Sequence, residues 1–192
     1  MVCDTERGKF MTDKQILQQI RESEHFRVLS EAFKRMTELD LWLDSVDQDD
    51  PRSMDELSGE YYSILSKELG LKDQLEVSHQ SMRESTLGKH VKYAEGISGL
   101  IHFLVPIHSG EREIGFLRCG GLKDAYRGVL KFMNFSQELK DQDVDIEKIV
   151  ELEAAFKNIP NLHGEDLAEA TSWLAHRAKE IDKEITEIKN AG

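Results

Sequence analysis

Gly99-Leu-Ile-His-Phe-Leu-Val-Pro-Ile-His-Ser-Gly-Glu-Arg-Glu-Ile-Gly-Phe-Leu-Arg-Cys-Gly-Gly121 is the most apolar and β-branched part of the chain. Two strand-like runs, 99–108 and 111–120, flank Ser109-Gly110, and a glycine there accepts the positive φ that a tight hairpin turn demands. The stretch therefore predicts two antiparallel strands. Pro106 has no N–H to give to a ladder, so its side of the strand is expected at a sheet margin or a distortion. Lys89–Ala94 reads as a short strand ahead of the hairpin. Earlier, Leu39-Asp-Leu-Trp-Leu-Asp-Ser-Val46 alternates apolar and polar residues and predicts the first strand. Its period of two sets Leu39, Leu41 and Leu43 against Asp40, Trp42 and Asp44.

Helical spacing governs the rest. From Thr12 to Leu39, Ile16, Leu17, Ile20, Phe26, Leu29, Phe33 and Met36 recur at helical intervals, with Thr12 as N-cap, as one long helix or as two with a break near Ser23. Met54–Leu69 and Lys72–Leu87 read as helices separated by Gly70, the second ended by Gly88. After the hairpin come Lys123–Leu139, Asp145–Asn158 and Glu165–Asn190; Asp145 caps the second, and Ile159-Pro160 ends it. Hairpin-connected strands flanked by helices imply an α+β fold, an antiparallel sheet covered by helices with a long C-terminal helix, because a parallel sheet needs a crossover after every strand.

The length of 192 residues suits one domain. We expect it over residues 22–163, behind a helical extension (1–21) and ahead of a C-terminal helix (164–192). In that last helix Leu174, Ala178, Ile181, Ile185 and Ile188 are spaced by four and three, which predicts a seam joining two copies into a homodimer; docking on the chain's own sheet is the alternative.

Twenty-five Lys and Arg against 37 Asp and Glu give a net charge of -12, which disfavours nucleic acid and anionic membrane surfaces as direct partners. No apolar run approaches the roughly 20 residues that span a bilayer, and MVCDTERGKFMTD lacks the apolar core of a secretory signal, so a cytoplasmic protein is expected. Cys3 and Cys119 make neither a disulfide framework nor a metal-binding pair by spacing. No phosphate-cradling glycine loop, Gly-x-Ser-x-Gly elbow or His-Glu-x-x-His occurs, so we expect no enzyme, no cofactor and no metal centre.

What remains is a set of side chains on or beside the strands. Trp42, Tyr93, His102, Phe103 and Phe116 would line a concave small-molecule site, and each is equally an ordinary core residue. Arg118 shares a face with Phe116; pointed inward it would hold a carboxylate or phosphate bidentately, and pointed outward, as arginines usually are, it would be solvated. His102 and Cys119 on paired strands give a second alternative, a metal or redox sensor; a ligand-free interaction module is a third.

The segment Lys89-His-Val-Lys-Tyr-Ala-Glu-Gly-Ile-Ser-Gly-Leu-Ile-His-Phe-Leu-Val-Pro-Ile107, followed by Arg112-Glu-Ile-Gly-Phe-Leu-Arg-Cys-Gly-Gly121, resembles the PocR sensory domain, as does the run from Phe33 to Leu43. The resemblance implies a PAS- or GAF-like sensor of a small metabolite, with simple hydrocarbon derivatives such as diols as ligands, coupled to regulators or signalling kinases. Strand position together with this resemblance makes Trp42, Tyr93, His102, Phe103, Phe116, Arg118 and Cys119 the expected ligand-facing residues. The Cys-His-Ala that the family carries ahead of Gly-Leu is replaced here by Gly96-Ile97-Ser98, so no role of those cysteines is carried over.

Overall fold

The computed structural model describes residues 11–46, 59–85, 91–96, 100–123, 127–162 and 164–191. In chain order its elements are α1 (Asp13–Arg21), α2 (Glu24–Thr37), β1 (Leu41–Ser45) and α3 (Gly59–Ser63), which runs into a π-helical stretch (Ile64–Glu68). Then follow α4 (Lys72–Ser85), β2 (Lys92–Glu95), β3 (Leu100–Ser109), β4 (Arg112–Lys123), α5 (Gly128–Asp141), α6 (Ile146–Lys157) and α7 (Gly164–Ala191). Cys3, the helix start at Met54 and the stop at Gly88 lie outside the described residues.

Local signals explain most of the boundaries. Thr12 forms a capping box with Gln15, and the Ser23 hydroxyl accepts the Phe26 N–H, which is why the expected long helix divides there. Asp145 caps α6 through the Glu147 N–H. β3 and β4 pair down to Ser109↔Arg112, so the connecting residues are Gly110-Glu111, one position later than Ser109-Gly110, with Gly110 at φ 64°.

The strands form one antiparallel sheet in the order β1-β4-β3-β2. Pro106 therefore sits on an inner strand, opposite Phe116, yet β2 reaches only to Leu104. The margin expected from the proline is thus a local one. Just past it the His108 N–H donates to Asp182 Oδ1 of α7 at 2.6 Å, so a side chain completes what the ladder leaves open. The outer edge of β1 is treated likewise: Arg21 Nε donates to the Leu43 carbonyl at 2.6 Å.

Alternation gives the sheet two different faces. On one, Leu41, Leu43, Phe103, Val105, Leu117 and Cys119 pack against Ile16, Leu17 and Ile20 of α1, Phe26, Leu29 and Phe33 of α2, and the stripe of α7. On the other, Leu100 joins Tyr61, Tyr62, Phe132, Leu152 and Phe156 in a cluster built by α3, α5 and α6.

Within residues 13–21, Ile16, Leu17 and Ile20 are fully buried in the main core, because a stripe of this width finds its apolar partner on the sheet. The α7 stripe is covered within the chain. Leu174, Ala178, Ile181 and Ile185 are buried against the chain's own sheet, and Ile188 is partly buried at the margin of the same cluster.

Candidate ligand site

The second face of the sheet carries the polar constellation. Register places Trp42, Arg118 and Leu104 in one cross-strand row and Asp44, Phe116 and Pro106 in the next. Trp42 lies on the edge strand and is partly buried, whereas Arg118 is 1 % exposed on inner strand β4. Asp44 explains how a guanidinium is tolerated there: Arg118 Nε donates to Asp44 Oδ2 at 2.6 Å, both side chains being at most 2 % exposed. The guanidinium carbon also stands 4.6 Å from the Trp42 ring centroid, where the negative face of the indole adds attraction. Arg118 is thus not the solvated arginine of ordinary expectation.

The pair leaves one donor over. Arg118 Nη1 is buried and has no hydrogen-bond partner among the described residues. Leaving a buried donor unmet costs about 1–3 kcal/mol, so an incoming oxygen at that position would recover it. Because Asp44 already balances the charge, the position asks for an acceptor rather than for a full counter-ion.

Along β3, His102 is 1 % exposed and its Nε2 lies 2.9 Å from the Tyr62 hydroxyl. Burial pushes the Tyr62 phenol well above its ordinary range, so the hydroxyl keeps its proton and donates to Nε2 when the imidazole carries hydrogen on Nδ1. Opposite His102 stands Gly120, at φ 150°. A β-carbon there would approach His102 Nδ1 and Cα to 2.7 Å, so only glycine leaves room for the ring.

A cleft of about 210 Å³ opens at this end of the sheet, lined by Tyr61, Tyr62, Gly120, Gly121, Asn158 and Pro160 among others. It reaches both neighbours of His102. Its size lies below the roughly 300–1,000 Å³ of drug-sized sites and suits a molecule of a few heavy atoms.

Of the seven residues expected at a ligand site, the structure brings Trp42, His102, Phe116 and Arg118 to this face. The other three lie elsewhere. Phe103 and Cys119 alternate to the opposite face and are buried beneath α7. Tyr93 is 58 % exposed on β2 and meets Phe103 edge-on, with centroids 5.0 Å apart. Cys119 and His102 hence project from opposite faces and do not form a ligand pair for a metal. The Cys119 thiol is pushed far up by burial, which removes the thiolate that redox or metal chemistry needs.

Asp44 and Tyr62 complete the site although neither was singled out in the sequence. Alternation along β1 did place Asp44 beside Trp42; for Tyr62 no local signal exists, since its partner is 40 positions away. Comparison with protein-family models, with curated proteins and with solved structures returned no match.

Proposed function

We propose that this chain is a small-molecule sensory domain of the PAS- or GAF-like kind that the PocR resemblance implies, binding a small metabolite on the Trp42–Arg118 face of its sheet. The observation that carries the reading is the buried Arg118 guanidinium, fixed by Asp44 and Trp42 with its Nη1 donor unmet among the described residues. A fully filled scaffold has no reason to bury that group, since apolar replacements of buried ion pairs are often as stable or more so. The His102–Tyr62 pair supplies further polar contacts, and the adjoining cleft an approach. Signal output would follow by population shift: β3 carries His102 toward the ligand side and Phe103 toward α7, so a ligand that prefers one position of β3 biases the helix by its difference in affinity for the two states.

A thermal-shift screen of small hydroxy, carbonyl and carboxylate metabolites tests this. A ligand at 100 times its Kd stabilises the native state by about 2.7 kcal/mol, a readily measured rise in Tm. The expected result is a hit whose effect is lost in Arg118→Lys, which keeps the charge but not the planar fork. No hit across the screen, or hits indifferent to Arg118→Lys, would favour the ligand-free interaction module instead.

A further inference from the structure

Ten large apolar side chains are conspicuously exposed among the described residues, and five of them, Val129, Leu130, Met133, Ile146 and Val150, lie on α5 and α6 at 57–69 % exposure. Their placement is regular. Val129, Met133, Ser136 and Lys140 recur on α5 at i, i+4, i+7 and i+11, and Ile146, Val150, Glu153 and Lys157 do the same on α6. The two helices meet through Phe132 stacked on Phe156 at 4.0 Å and through the Ser136 hydroxyl donating to Glu153 at 3.3 Å. Between them opens a groove of about 510 Å³, floored by Phe132, Met133 and Phe156. Lys123, Lys140 and Lys157 line it as well, three cations against the one carboxylate of Glu153.

Those lysines set the groove apart from the rest of a chain whose net charge is -12. Lys34, by contrast, is paired with Asp40 at 2.6 Å and Lys189 with Asp13 at 2.8 Å. Around the groove none of the three holds a carboxylate among the described residues; the Lys123 ammonium donates to the Lys157 carbonyl, at 2.9 Å. An exposed apolar band bordered by unmatched cations is complementary to an apolar band bordered by carboxylates.

We propose that the α5–α6 groove docks an amphipathic helix of a partner protein, its apolar stripe on Phe132, Met133 and Phe156 and its carboxylates on Lys123, Lys140 and Lys157. From Val129 to Lys140 the α5 face extends about 16 Å, or three helical turns, which matches the usual helix-in-groove arrangement with anchors at i, i+4 and i+7. The inference stands apart from the ligand reading, as it uses none of the same side chains.

The probe is a fluorescein-labelled helical peptide of four turns with a leucine stripe flanked by glutamates, compared by anisotropy with a twin in which lysines replace the glutamates. The acidic peptide should bind roughly tenfold tighter or more, as a few rim charge pairs allow. The net charge of the whole protein would produce the opposite order. Met133→Asp should abolish binding and Lys140→Glu with Lys157→Glu should invert the preference; all three positions are exposed, so the fold is retained. Equal or tighter binding of the lysine peptide, indifference to Met133→Asp, or no binding of either peptide would overturn the proposal. So would sedimentation with phosphatidylglycerol vesicles in the absence of peptide binding, which would assign the groove to a lipid surface.

Discussion

Replacing Arg118 by Met removes a guanidinium of similar length while leaving Asp44 in place, and the structure fixes what that should cost. The two charges meet at 2.6 Å with side chains 2 % and 1 % exposed, so solvent does not screen the pair and cannot rehydrate the carboxylate that is left behind. Breaking a buried pair from one side typically costs about 3–5 kcal/mol. At roughly 2–4 °C per kcal/mol for a chain of this size, Tm should fall by about 6–20 °C. The loss of the Trp42 contact adds a smaller term, about 0.5–2 kcal/mol. Asp44→Leu alone should be comparably damaging, because it strands the guanidinium. The double variant Arg118→Met, Asp44→Leu is the decisive member: with no charge left to desolvate, it should be more stable than either single variant and close to the parent. Urea unfolding followed by circular dichroism gives all four free energies. Costs that simply add, or single variants within about 1 kcal/mol of the parent, would show that the pair is hydrated and would remove the physical basis of the candidate site.

Three further outcomes follow from other parts of the fold. Gly120→Ala brings a β-carbon within 2.7 Å of His102 and demands φ 150° of a residue that resists it, so Tm should drop and the Tyr62–His102 hydrogen bond should be lost from the imidazole NMR signals; an unchanged Tm and spectrum would contradict the geometry. Ile185→Ala should cost about 2–5 kcal/mol in urea titrations with no change in sedimentation behaviour, since Ile185 fills the chain's own core; a shift from dimer to monomer at constant stability would restore the seam. Asp182 is held above the ordinary value of 3.8, chiefly by burial and against the pull of His108. A carboxyl raised by folding contributes its stability in full below its unfolded pKa and loses it as pH rises through the folded one. Asp182→Asn keeps an oxygen for the His108 N–H, so its stability relative to the parent should increase from about pH 4 upward until Asp182 has fully ionised, and a flat or falling difference would refute the assignment.

How much of this was legible depends on the range of the interaction. Alternation separated Trp42 and Asp44 from Leu41 and Leu43, and kept Phe116 with Arg118, because side-chain direction along a strand follows from neighbouring residues alone. The same rule, applied across β3, parts His102 from Phe103, and on the paired strands it sends Tyr93 and Cys119 to the Phe103 side as well. The caps at Thr12, Ser23 and Asp145 were readable for the same local reason. Arg118 was different. Whether an arginine is solvated or buried depends on whether a carboxylate reaches it, and Asp44 is 74 positions away.

The helix stripe of α7 shows the limit in its sharpest form. A spacing of four and three states that one side of a helix must be covered; it is silent about whether a sister helix or a sheet covers it, because both present the same apolar surface to Leu174, Ala178, Ile181 and Ile185. One polar residue on that helix does discriminate. Asp182, beside Ile181, accepts the His108 N–H at the stretch of β3 that β2 leaves uncovered, a contact that requires the sheet's own edge and that a coiled-coil partner would not offer. Pro106 marks that edge in the sequence, two residues before His108. Proline and aspartate together therefore carried the information that the apolar pattern lacked: a strand margin without a neighbouring strand, and an acceptor on the helix that reaches it.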